Sequence, residues 1–125
     1  MLFRSGVSYI HDLIVHSYTS GAYAGKEIVF AFSEGAGVRI IDVTDKGNMQ
    51  VLSTTSYPNK SYTHHGDFSD DLKYLFVNDE LDEKNNANVS STTTYVLDIQ
   101  NLSSPSYVTS FNNGLPAIEI GRAHV

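Results

Sequence analysis

The chain has 125 residues, 41% of them hydrophobic, with eight Tyr, six Phe and no Cys, which suffices for the core of one small domain. Eight basic residues against 14 acidic ones leave a net charge of −6, and no basic cluster offers the positive face that nucleic-acid binding needs. No apolar run approaches the ~18 residues of a membrane-spanning helix, and the missing cysteine rules out disulfides, zinc–thiolate sites and thiol nucleophiles.

Strand signals begin at 8–18 (Ser-Tyr-Ile-His-Asp-Leu-Ile-Val-His-Ser-Tyr) and are followed by a glycine-bounded loop over 19–25. A second strand is expected over 26–32, a third over 38–43 and a fourth over 50–55, with glycines and Pro58 punctuating the turns. No helical periodicity lies between them. The pattern then restarts. Ser61-Tyr62-Thr63-His64-His65-Gly66-Asp67 parallels Ser8-Tyr9-Ile10-His11-Asp12, a polar turn covers 69–73, and a second strand covers 74–77. The third strand recurs as Tyr95-Val96-Leu97-Asp98-Ile99, so Asp98 follows Asp42 by 98 − 42 = 56 residues. An insertion over 80–91 separates it from the strand before.

Repetition at about this period points to an array of supersecondary units. The strands 28–32, 38–43 and 74–77 are apolar on nearly every residue, as in sheets covered on both faces. Long helices are absent, so stacked four-stranded antiparallel sheets fit better than a parallel α/β fold. The expected fold is therefore all-β and β-propeller-like: one domain over 1–118, with blade one at 8–58, blade two at 61–113 and the start of a third at 114–118. A β-sandwich is the alternative, and it predicts cleaner alternation. Residues 119–125, Glu-Ile-Gly-Arg-Ala-His-Val, read as an in-frame translation of a sequencing-library adapter and are set aside. Met1-Leu2-Phe3-Arg4 is too short for a signal peptide.

On residues 38–45 and 95–104, on Thr63-His64-His65-Gly66, on 18–30 and on the acidic 78–83, the chain resembles the bacterial choice-of-anchor B family, built from LVIVD repeats. The likeness spans about residues 8–118. It implies a propeller-like repeat fold in exported or surface-attached proteins. The resemblance leaves the biochemical role undefined, and the expected role is a secreted or cell-surface module that binds a protein or glycan ligand. After Pro116-Ala117-Ile118 the family continues with an acid, His and Asn, whereas Glu119-Ile120-Gly121 stands here.

Two constellations carry chemistry. His11 with Asp12, and His64 and His65 with Asp67, recur at the start of each unit's first strand. If those strands line a channel, they converge as a site for a divalent metal ion, because imidazole and carboxylate ligate zinc, manganese or iron. The plainer account is that each His bonds within its own unit. Asp79, Glu80, Asp82 and Glu83 form an acidic run with the hard oxygens calcium prefers, but without the spacing of a calcium loop. A solvated insertion accounts for them as well. Asp42 and Asp98 are expected to accept backbone N–H bonds in their turns. No G-x-S-x-G, P-loop, G-x-G-x-x-G or H-E-x-x-H motif occurs. The three Asn-x-Ser sequons, at Asn59, Asn88 and Asn101, read as chance matches. Binding is thus the leading expectation, with a metal-dependent hydrolase as its rival.

Overall fold

The computed structural model describes residues 4–5, 8–87, 89 and 91–112, so the expected third unit at 114–118 and the tail at 119–125 lie outside the described residues. A short hairpin joins β1 (Arg4–Ser5) to β2 (Ser8–Tyr9). Four strands then pair in sequence order as an antiparallel sheet: β3 (Asp12–Ser17), β4 (Glu27–Phe32), β5 (Val38–Asp42) and β6 (Gln50–Thr55). A second sheet repeats the arrangement with β7 (Thr63–Phe68), β8 (Tyr74–Asp79), β9 (Thr93–Asp98) and β10 (Ser106–Asn112). The chain is all-β, with two four-stranded antiparallel sheets that do not close on themselves.

Two expectations need correction. The run 8–18 is not one strand, because it breaks between β2 and β3 at Ile10 and His11. Ile10 turns onto the outer face of the first sheet, beside Val29, Ala31, Ile41 and Val43. The insertion over 80–91, read as solvated, buries Asp82 and carries a helical turn, α1 (Asp82–Asn85).

The repeat holds at the level of single hydrogen bonds. Val38 to Asp42 pair with β4 as Thr94 to Asp98 pair with β8. The bulge that skips Leu52 in β6 returns 56 residues on at Val108 in β10 (108 − 52 = 56), opposite Ile40 and Ile41 in one sheet and Val96 and Leu97 in the other. Asp42 Oδ1 accepts from Thr44 N at 2.9 Å, and Asp98 Oδ1 from Gln100 N at 2.9 Å. One turn later Asp45 accepts from Gly47 N at 2.9 Å and Asn101 from Ser103 N at 3.0 Å. These side chains imitate a backbone turn, which is why Asp and Asn recur there.

The sheets stack front to back. The main core joins Ile28, Phe30, Phe32, Val38 and Ile40 of the first sheet to Leu75, Val77, Tyr95, Leu97 and Ile99 of the second. In the first sheet, the positions equivalent to Leu75, Val77, Leu97 and Ile99 are Val29, Ala31, Ile41 and Val43, and these form the separate cluster on its other face. Equivalent faces therefore do not meet each other; one face of the first unit meets the opposite face of the second. Phe30, Phe32, Ile40, Leu75 and Leu97 are fully buried, each worth about 1.5–3 kcal/mol over an exposed position. Between the sheets, the backbones approach where β7 passes β3 and β4. Gly66 makes that approach possible, since a Cβ there would lie 2.8 Å from the Phe32 ring and also strike the Phe76 carbonyl. At the far side Tyr23 Oη accepts from Leu102 N at 2.9 Å and Ser53 Oγ donates to Leu102 O at 2.8 Å, fastening the second unit's turn to the first sheet.

Candidate metal centre

Where the start of β7 meets the turn after β4, the chain brings together residues that are far apart in sequence. Glu34, just beyond β4, exchanges backbone bonds with Thr63 of β7: Glu34 N to Thr63 O at 3.3 Å, and Thr63 N to Glu34 O at 2.9 Å. The tight turn Ser33–Gly37 allows this by placing Glu34 at φ 50° and Gly37 at φ 93°. A Cβ on Gly37 would collide with the Thr55 carbonyl, so the turn requires glycine there. Glu34 tolerates a left-handed conformation that costs a side-chain-bearing residue of order 1 kcal/mol, and the seam bridge holds it there.

Three ligand-competent side chains converge at this seam. His11 precedes β3, His64 lies in β7, and Glu80 follows β8 directly; one ligand atom from each lies within 4.8 Å of the others. His64 occupies a bulge between the paired residues Thr63 and His65, and such bulges redirect a side chain. His64 Nδ1 stands 3.4 Å from a Glu80 carboxylate oxygen, and its side chain is only 7% exposed. The His11 and His64 rings lie 4.5 Å apart between centroids. His11 Nδ1 is 3.1 Å from the His64 carbonyl. Because a carbonyl only accepts, Nδ1 of His11 carries the proton and Nε2 of the neutral ring keeps its lone pair.

Tyr62 and Glu34 complete the surroundings. The Tyr62 ring meets His11 edge-on at 5.4 Å, its hydroxyl donates to Glu34 Oε1 at 2.9 Å, and its carbonyl accepts from Glu80 N at 2.9 Å. Burial, then the bond to Glu34 and the charges of Glu34 and Glu80, push the Tyr62 phenol up to about 12. It is therefore a neutral donor to Glu34 at ordinary pH.

The other residues proposed from sequence divide sharply. Asp12 and Asp67 each cap the next residue, accepting from Leu13 N at 2.9 Å and Phe68 N at 2.8 Å; neither belongs to the cluster of three. His65 is buried, with its ring centroid 4.8 Å from that of His64, but it too lies outside that group. Within the acidic run, the described carboxylates of Asp79, Glu80 and Asp82 meet different partners. Asp79 is 1% exposed and accepts from Tyr57 Oη at 2.7 Å, Ser61 N at 2.8 Å, Tyr62 N at 2.9 Å and Leu81 N at 3.0 Å. Asp82 is wholly buried and accepts from Tyr95 Oη at 2.6 Å. Burial first, then the neighbouring carboxylates, raise the Tyr57 and Tyr95 hydroxyls above their ordinary range. Asp79 and Asp82 anchor the insertion, Glu80 faces the histidines, and the Glu83 side chain is outside the described residues.

Sequence reasoning grouped Glu80 with the acidic run and passed over Glu34 and Tyr62. A signal was present. Phe32 and Asn78 hold equivalent ladder positions, and Glu34 and Glu80 lie two residues beyond each. Each unit thus places a His at the start of its first strand and a Glu after its second. Comparisons with family models, with curated proteins and with solved structures gave no match.

Proposed function

We propose that this chain is two units of a β-propeller-type array of the choice-of-anchor B kind, acting as a secreted or cell-surface binding module for a protein or glycan ligand. The front-to-back stacking of equivalent sheets carries this reading. That packing extends by repetition, as blades do, whereas a two-sheet sandwich encloses one core. The approach of the first strands, β3 and β7, adds support, because blades converge at that strand. Among the described residues no helix is long and apolar enough to cross a membrane. The family assignment and location rest on the sequence resemblance.

Biolayer interferometry against defined polysaccharides and purified surface proteins tests the proposal. Saturable binding without turnover of the ligand supports it; the absence of binding across both classes counts against it. A second reading, a metal-dependent hydrolase, is favoured by one observation: three protein ligands leave a coordination position for water. Turnover of ester or phosphoester substrates that chelation abolishes and metal restores would replace the first reading with the second.

A further inference from the structure

We infer that His11, His64 and Glu80 form a binding site for one divalent transition-metal ion, of the zinc class, that ties the two repeat units together. The inference rests on the seam geometry and stands whether the module binds or hydrolyses its ligand. Two imidazoles and one carboxylate suit zinc and its first-row neighbours. Calcium and magnesium want six or more oxygens, which this seam does not supply.

The supports are those metal-bound histidines have. A ligating His commonly donates its other ring N–H to a backbone carbonyl, which fixes the ring and the tautomer. His11 does this at 3.1 Å, and the carbonyl belongs to His64, the second ligand. Glu80 is held through its own N–H to the Tyr62 carbonyl at 2.9 Å, while Tyr62 packs against His11. The set is slightly open. Ligand atoms about 2.0–2.1 Å from a tetrahedral ion stand roughly 3.3 Å apart, against separations of up to 4.8 Å here. His11 is exposed and sits between two short strands rather than within one, so it is the ligand that can close the gap.

This arrangement makes the ion a staple. His11 comes from the first unit, His64 and Glu80 from the second, so an ion binds only the stacked form and stabilises it by mass action. A plain His–Glu pair would instead lie within the second unit and make no use of His11.

Isothermal titration of the untagged protein with Zn2+, together with the visible spectrum of its Co2+ form, tests the site. The expected result is one ion per chain, a tetrahedral Co2+ spectrum and a melting temperature that rises with Zn2+. His11→Ala, His64→Ala and Glu80→Gln should each weaken binding at least tenfold, while Asp67→Asn binds as the parent does. His64 is buried and its variant can fail to fold, so His11→Ala, at an exposed position, is the deciding substitution. No binding by the folded parent overturns the inference. So does binding that survives either His11→Ala or Glu80→Gln unchanged, which would mark adventitious metal only.

Discussion

The two sheets share strand order, bulge position and turn caps, yet they leave their second strands in opposite ways. After Phe32 the first unit turns at once through Ser33 and Glu34, with backbone at φ 50° and 93° within five residues. After Asn78 the second unit runs into a longer excursion anchored by two buried carboxylates, Asp79 and Asp82. The hydroxyl of Ser33, at the position equivalent to Asp79, makes a long 3.4 Å bond to Ala31 O, where the Asp79 carboxylate gathers donors from Tyr57, Ser61, Tyr62 and Leu81. A short connection costs backbone strain. A long one leaves more backbone N–H groups to satisfy inside the protein, and a carboxylate is the acceptor that satisfies several together.

The largest break in the symmetry is expected from Asp79→Ala. It removes the acceptor of three backbone donors and leaves the Tyr57 hydroxyl with Thr63 Oγ1 alone, and we expect a loss of about 3 kcal/mol or more in urea unfolding. Ser33→Ala, at the equivalent place, should cost less than about 1 kcal/mol. Equal losses would show that the two connections do not differ as described.

Next comes the pair Gly66 and Leu13, which occupy equivalent positions on β7 and β3. Gly66→Ala drives a methyl against the Phe32 ring and the Phe76 carbonyl, for an expected loss of about 1–3 kcal/mol. Leu13 is 39% exposed, so Leu13→Ala should stay within about 0.5 kcal/mol. A tolerant Gly66 would mean the seam is looser than its contacts imply.

Alkaline pH sharpens the comparison, because Asp79 and Asp82 of the second connection accept from Tyr57 and Tyr95, while Glu34 of the first accepts from Tyr62. The phenols of Tyr57, Tyr62 and Tyr95 are raised above the unfolded value near 10. A raised phenol stabilises the fold fully below that value and loses its contribution as pH climbs, for Tyr62 through about 12. Unfolding midpoints should therefore hold steady up to pH 10 and fall beyond it. Tyr57→Phe, which leaves Asp79 one donor short, should lower stability at neutral pH by about 1–2 kcal/mol and flatten that fall. An unchanged slope in the variant would count against the assignment.

The smallest effects belong to the shared turns. Asp42→Ala and Asp98→Ala should each cost at most about 1 kcal/mol, and about equally. The hydroxyl and N–H of Thr44 hold the Asp42 carboxyl below its usual range. Its contribution is therefore present above that range and fades only as pH falls beneath it. Unequal losses would show that the turns are alike in sequence only.

The sequence by itself determined the strands and their repetition, because period-two and doubly apolar runs are local and the Asp that closes each third strand serves its own turn. It also marked His11 and His64, which recur at one place in the repeat. It could not separate Asp79, Glu80 and Asp82, three acids within four residues that meet three fates: a buried backbone cap, a neighbour of His64 at the seam and a tyrosine acceptor. Nor could it join Glu34 to Tyr62, 28 residues apart. Those assignments follow from how one sheet lies on the other. Whether a carboxylate ends inside, at the seam or in solvent depends on which donors the neighbouring unit brings to it, and only the stacked tertiary structure decides that.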